Sequence, residues 1–206
     1  MNLGFDLKDW EETETIEMGD WETLELGGHE VVIMDARLYK SEQSGNVSLK
    51  VCVDVAGTDK QKGFFQRQYD NNTLSEKKWP TGATRFLSLK KENLGYTKGF
   101  ITSLEKSNKN FKFNTSKGWE QLKGLKCAGV FGLEEYEDQE GKTKLATKLT
   151  QFRSLDKLKE IQIPKVKLLD GTYVDYDDYN EFYRNKKEEN PFDNDVVEIN
   201  SSELPF

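Results

Sequence analysis

The sequence predicts a mainly β protein with a helical insertion and acidic ends, and three observations predict it. Two early segments alternate apolar and polar residues with a period of two, which is typical of strands. Two later segments of the same kind flank a polar turn, and a helical pattern lies between the two pairs. Because 33% of the 206 residues are charged, part of the chain is expected to stay outside the core.

The first three strands are predicted in the N-terminal third of the chain. Residues 31–38 alternate, and a polar turn over 41–46 leads to the clearest alternation in the sequence, residues 47–55. These two segments therefore form a predicted hairpin. Residues 64–69 follow a glycine and are the third predicted strand.

The second half of the fold is predicted to begin with a helix. After a loop-like stretch over 71–83, residues 92–107 have one apolar helical face, formed by Phe100, Ile101 and Leu104. A short helical turn is expected at 119–122. The last two strands, 125–136 and 143–152, flank a polar turn that contains a glycine.

Five strands with a helix between the third and fourth is the element order of the OB fold, so the sequence predicts an OB-like five-stranded barrel with a flexible acidic C-terminal tail. That fold uses strands two and three and the loops after strands one and four to bind oligonucleotides or oligosaccharides. Another small barrel or a sandwich is the alternative. The predicted organisation is an acidic N-terminal arm (1–27), the OB-like domain (28–168), an acidic, Tyr-rich linker (169–190) and the tail (191–206).

The formal charge of -7 is a sum over three unlike regions. Residues 1–28 hold nine acids and one base, and residues 170–206 hold 11 acids and three bases. The central residues 29–169 hold 17 acids and 26 bases. A basic body between two acidic ends is typical of a polyanion binder, although a lysine-rich solvated surface is the competing interpretation.

Residue types used by enzymes and metal sites are sparse. Cys52 and Cys127 lie far apart within predicted strands and are expected in the core, and His29 is the one histidine. One acidic cluster is interpreted as a solvated turn, with Mg²⁺ binding as the alternative: Glu134, Glu135, Glu137, Asp138 and Glu140. Asp175, Asp177 and Asp178 lack the glycine and the closing glutamate of a calcium loop and are interpreted as linker. We therefore expect no enzymatic activity, no metal and no cofactor. With no apolar run of membrane length and no secretion signal at the N-terminus, a cytoplasmic location is expected.

The C-terminal tail contains the sharpest binding signal. An exposed terminal phenylalanine is a poor solubilising device, but it fits an apolar pocket whose basic rim binds the terminal carboxylate and nearby acids. Pro205 restricts one backbone angle and so lowers the ordering cost of binding. The predicted partner-binding residues are Asp193, Asp195, Glu198, Glu203, Leu204, Pro205 and Phe206.

This ending resembles the C-terminal tip of bacterial single-stranded DNA-binding proteins, which close on several Asp followed by Ile or Leu, Pro and Phe. Leu204, Pro205 and Phe206 match position by position, whereas Ser201 and Ser202 stand where the family usually has Asp. The resemblance implies that an OB domain holds DNA while the tip docks replication, recombination and repair proteins.

A second resemblance covers most of residues 25–165. The segments 27–33, 79–80, 98–108 and 122–126 are similar to small phage-encoded proteins of Gram-positive bacteria, which sit among replication and recombination genes. This resemblance implies a phage or prophage context and a bacterial host cell.

A protein that binds single-stranded DNA needs cations to contact the phosphates and flat rings on which the bases stack. The basic region supplies both. On the third predicted strand, Phe65, Arg67 and Tyr69 form the favoured stacking platform, although a core position competes for any single ring. The aromatic residues expected inside are Trp119, Phe100, Phe131 and Phe152. The predicted nucleic-acid-binding residues are Tyr39, Lys40, Lys50, Phe65, Arg67, Tyr69, Lys77, Lys78, Trp79, Tyr136 and Lys142.

Two functions follow from these patterns. The first is non-sequence-specific binding of single-stranded DNA, with a tail that recruits partners and with homo-oligomer formation left open. The second is a phage interaction modulator that docks host replication or repair proteins without binding DNA. A third, carbohydrate binding, is disfavoured by the excess of lysine. Convergence of the cations Lys50, Arg67, Lys77 and Lys78 along one groove favours the first function, and their scatter favours the second.

Overall fold

The computed structural model describes residues 22–181, which form one mixed β-sheet with helices packed against it. The strands are β1 (Gly27–Lys40), β2 (Val47–Val55), β3 (Thr84–Ser88), β4 (Lys126–Glu137), β5 (Thr143–Arg153), β6 (Val166–Lys167) and β7 (Tyr173–Val174). The helices are α1 (Phe64–Asp70) and α2 (Leu94–Ser107), and residues 176–181 are also helical. Short 3-10 turns include Thr81–Ala83, Trp119–Leu122 and Leu155–Glu160. The prediction of a mainly β protein with a helical insertion is confirmed.

Strand β1 organises the sheet because it pairs with two neighbours along its length. Residues 27–32 pair with β4, and residues 31–40 pair with β2. The register with β2 shifts between Ile33 and Asp35, which marks a bulge. A bulge bends a strand and increases its twist, so one long strand can serve both neighbours.

The strands follow the order β3-β2-β1-β4, and β5 pairs with β4. These pairs are antiparallel, whereas β6 runs parallel to β4. Cα atoms of β3 and β5 come within 8 Å of each other, so the sheet curls until its edges approach. Within residues 22–181 no backbone ladder joins those two edges, and the sheet is not a closed barrel.

The segment 64–69, predicted as the third strand, is helix α1, and that prediction is wrong. Two adjacent phenylalanines, Phe64 and Phe65, are both buried, which a helix lying against the core permits and a half-buried strand does not. The third strand of the sheet is β3, which falls just after the predicted loop.

Helix α1 begins at Phe64 because a neighbouring strand caps it. Gly63 adopts a left-handed conformation with φ of 69°, and the helix has no capping side chain of its own. The Asp54 carboxylate at the end of β2 accepts hydrogen bonds from the Phe65 and Gln66 backbone N–H groups, at 2.9 and 3.3 Å. Those first-turn donors would otherwise lack partners in a buried position.

The core lies between the inner face of the sheet and helices α1 and α2. The alternating residues of β2 predicted to share a face are buried from Leu49 onward, while Val47 at the start of the strand is exposed. Phe100 and Phe131 are fully buried, and Trp119 and Phe152 pack against the core partly buried. Helix α2 confirms the helix predicted over 92–107, with a short 3-10 turn before it.

The chain after β5 packs along β4. β6 pairs with β4, β7 pairs with β6, and Tyr179 is buried with its hydroxyl donating to Glu135 at 3.0 Å. The described part of the segment predicted as a linker from residue 169 therefore contributes a strand and a buried ring. Among residues 22–181, no helix combines the length and the apolar character needed to cross a bilayer.

We expect Asp54→Ala to lower the free energy of unfolding by about 1–3 kcal/mol, because it removes the acceptor for buried donors of α1. Asp54→Asn keeps an oxygen acceptor and should cost less. Urea unfolding followed by circular dichroism measures both. The matched control is Glu42→Ala, which removes an exposed carboxylate in the β1–β2 turn. Equal stability of Asp54→Ala and the control would contradict the capping role.

Candidate nucleic-acid interface

The outer face of β1, β2 and β3 carries cationic and aromatic side chains in register. Arg37, Lys50 and Phe86 lie directly opposite one another on the three strands. Tyr39, Ser48 and Ser88 form the next row in the same way. The alternate residues Leu49 and Leu87 point into the core, so these two rows face away from it. We call Arg37, Tyr39, Lys50 and Phe86 the outer face.

Two rings meet on the outer face although their strands are not adjacent. The Tyr39 and Phe86 ring centroids lie 5.0 Å apart, and β2 is the strand between them. Phe86 is 48% exposed and Tyr39 is 42% exposed. An exposed aromatic pair on a sheet face offers π surface on which an unpaired base can stack.

Beside the outer face lies a cleft of about 390 Å³, walled by α1 and the segment that precedes β3. Its volume falls within the range of small-molecule sites, roughly 300–1,000 Å³. Four cationic side chains line it: Arg37, Lys50, Lys77 and Lys78. Its other lining groups are Met34, Asp35, Cys52, Gln66, Tyr69 and Trp79.

The aromatic wall of the cleft is held by hydrogen bonds to the backbone and by ring contacts. Trp79 donates its Nε1–H to the Val53 carbonyl at 2.9 Å, at a point of β2 that lies beyond its last pair with β3. The Tyr69 and Trp79 ring centroids are 5.4 Å apart. Lys77 Nζ lies 5.8 Å from the centre of the Tyr69 ring and donates to the Asp70 carbonyl at 2.9 Å. These contacts hold the rings of Tyr69 and Trp79 and the ammonium group of Lys77 in fixed positions relative to one another.

The structure brings together a subset of the predicted binding residues. The cleft collects Lys50, Tyr69, Lys77, Lys78 and Trp79, and Tyr39 lies on the adjoining outer face. The three lysines named as a discriminating set thus converge on one cleft, while Arg67 does not line it.

Two members of the predicted stacking platform lie elsewhere. Phe65 is buried and stacks on Phe131 in the core with centroids 5.6 Å apart, so its proposed role as an exposed stacking ring is wrong. Arg67 is exposed and pairs with Glu22 at 2.6 Å. The reason is the helical conformation of α1, which rotates alternate residues to different sides instead of one strand face.

The remaining candidates occupy strand ends. Lys40 follows Tyr39 and therefore lies on the opposite side of β1. Tyr136 and Lys142 lie at the β4–β5 hairpin, where Lys142 pairs with Glu140 at 2.8 Å and Tyr136 is exposed. Neither of these two residues lines the cleft. The partner-binding candidates at 193–206 lie outside the described residues.

The acidic turn of this hairpin is organised by its own backbone. Asp138 accepts from the backbone N–H groups of Glu140 and Lys142 at 2.9 Å each and pairs with Lys144 at 2.6 Å. The hydrogen bond from Lys144 is the main cause that lowers the pKa of Asp138. Over the range 22–181, no group of three or more His, Cys, Asp or Glu residues is placed to hold a metal ion.

The two thiols are buried, as the sequence predicts. Cys52 contributes to the floor of the cleft, where burial raises its pKa above the ordinary value. Burial also raises the pKa of Cys127 in the core. Both side chains therefore stay protonated at neutral pH, which is the unreactive form of cysteine.

The binding residues predicted from the sequence do not include Phe86 and Arg37, two residues of the outer face. Phe86 belongs to β3, a five-residue strand whose one available signal is the short alternation of Thr84, Phe86 and Ser88 against Arg85 and Leu87. Arg37 was placed on a predicted strand, but its face could be assigned only once the bulge in β1 was known.

No protein-family model matches this chain, and no curated protein matches it as a relative.

Proposed function

We propose that the protein binds single-stranded DNA without sequence specificity across the outer face and the adjoining cleft. The observation that carries the proposal is the exposed Tyr39–Phe86 ring pair on the same sheet face as Arg37 and Lys50. The cleft continues this surface with two more rings and with the lysines Lys77 and Lys78. Cations neutralise phosphates while rings stack on bases, and both are needed to hold an unpaired strand.

The proposal includes a fold, a partly open OB-like barrel. Its support is the strand order β3-β2-β1-β4-β5 with α2 between β3 and β4, together with the approach of β3 to β5. In OB folds the face of strands two and three is a recurring site for oligonucleotides. Lys50 and Phe86 of the outer face lie on β2 and β3, and Arg37 and Tyr39 lie on the neighbouring β1.

The tail completes the proposal. The acidic residues before Leu204, Pro205 and Phe206 would dock replication, recombination or repair proteins, as the resemblance to bacterial single-stranded DNA-binding proteins implies. An acidic end attached to a basic body would allow one chain to hold DNA and a partner at the same time. The phage context remains part of the same proposal.

We expect fluorescence titration with poly-dT to show binding that weakens steeply as salt rises, because each phosphate contact releases about 0.7 counterions. Lys77→Ala with Lys78→Ala should weaken binding and reduce the slope of log affinity against log salt by about 0.7 per lost contact. Lys157→Ala with Lys159→Ala is the matched control, since both lysines are exposed near the Leu155–Glu160 turn. A slope near zero for the wild type would refute DNA binding. Equal effects of the two double variants would refute the assigned surface.

We expect Phe86→Ala to weaken binding of single-stranded DNA by about 1–3 kcal/mol, because it removes one stacking surface. Thermal stability should change little, since the ring is about half exposed. Tyr173→Ala on β7 removes a ring that is 62% exposed and serves as the control. A gel shift with duplex of the same sequence should show weaker binding, because paired bases do not offer their faces to the rings. Unchanged DNA affinity of Phe86→Ala would show that the bound DNA does not stack on Phe86.

Deleting residues 193–206 should leave DNA affinity unchanged or strengthened, because it removes four acids and no proposed DNA contact. Recovery of replication and repair proteins from host extract on the immobilised protein should be lost. Phe206→Ala keeps the side-chain charge and should lose the partners while DNA binding is unchanged. Loss of DNA binding on deletion would contradict this division of roles.

A further inference from the structure

One lining residue of the cleft does not fit a site built for phosphate alone. Asp35 contributes a carboxylate among four cationic side chains, and its side chain is partly exposed. A carboxylate repels phosphate, so its presence weakens a purely electrostatic groove. Its place is fixed: Asp35, Cys52 and Thr84 are directly opposite one another on the outer side of β1, β2 and β3.

Asp35 forms an ion pair with Arg37 beside the cleft. Its Oδ2 lies 3.2 Å from Arg37 Nε, so an acceptor and a donor stand side by side. Exocyclic amino groups of bases are donors that Asp and Glu accept, and Arg and Lys donate to ring nitrogens and carbonyl oxygens. Lys50, directly opposite Arg37, adds a second donor at the same level.

The other surfaces of the cleft suit a flat ring. Trp79 and Tyr69 form one wall, and Met34 and Cys52 contribute apolar surface to the lining. The cleft volume of about 390 Å³ gives room for one ring system together with its sugar. A base lying along the aromatic wall would turn one polar edge toward β1, which carries Asp35 and Arg37.

We propose that the cleft holds one unpaired nucleobase of the bound strand and favours bases that carry an exocyclic amino group over thymine and uracil. This inference rests on the proposed binding of single-stranded DNA and adds base discrimination at one position of the footprint. Asp35 accepts from the amino group, and Arg37 or Lys50 donates to the neighbouring acceptor atom. Lys77 and Lys78 neutralise the flanking phosphates.

Cytosine and uracil provide the matched comparison, because they have similar size and differ in the groups at ring positions three and four. Affinities are measured for oligodeoxycytidine and oligodeoxyuridine of about 15 nucleotides, a length near the upper site size of an OB domain. The titrations are run at pH 8, where cytosine is unprotonated. The wild type should bind the cytosine oligomer about fivefold more tightly or better, as expected for one good base contact.

Asp35→Asn tests the carboxylate directly, since the amide keeps the size and adds a donor that suits uracil. The ratio of the two affinities should fall to about one or reverse, while the salt dependence of binding persists. Glu42→Gln makes the same chemical change in the exposed β1–β2 turn and should leave the ratio as in the wild type.

The possible outcomes separate the two proposals. Tight, salt-dependent binding of both oligomers with equal affinity overturns base discrimination and leaves DNA binding standing. A cytosine preference that persists in Asp35→Asn overturns the role of the carboxylate. Failure of the folded wild type to bind either oligomer overturns DNA binding, and base discrimination with it.

Discussion

The Asp54 carboxylate is the contact on which the candidate surface depends. It lies at the end of β2 and accepts the first backbone N–H groups of α1, so a helix rather than a strand follows Gly63. Capping a buried helix start from another element costs little once the strand is formed, because the acceptor is already in place. The helix then directs Phe64 and Phe65 into the core and leaves Tyr69 at the edge of the cleft.

The short length of β3 also affects the candidate surface. β3 pairs with β2 only as far as Cys52, so the following part of β2 would present an open edge. Trp79 covers this edge and satisfies the Val53 carbonyl with its indole N–H. Further along β2, the Gly63 backbone N–H donates to the Val55 carbonyl at 3.0 Å. Trp79 therefore covers part of the open edge and, with Tyr69, forms the aromatic wall of the cleft.

The charge distribution and the rings become a site only through strand register. Register places Arg37 opposite Lys50 and Lys50 opposite Phe86, and the rings of Tyr39 and Phe86 meet across the intervening strand β2. A slip of one residue would turn all these groups to the opposite face. The bulge between Ile33 and Asp35 allows β1 to keep this register with β2 while its first half pairs with β4.

The sequence by itself determined the β-rich class, the hairpin of β1 and β2, helix α2, the last hairpin and the buried thiols, because each rests on a local period or on residue type. It also identified Lys50, Lys77, Lys78, Tyr69 and Trp79 as binding candidates from their chemistry. Only the tertiary structure decided that residues 64–70 are helical, that Phe65 is core and that Phe86 is exposed. The physical reason is that a cap from a distant strand, a bulge and a short edge strand depend on contacts between segments far apart in the chain, which local periodicity does not record.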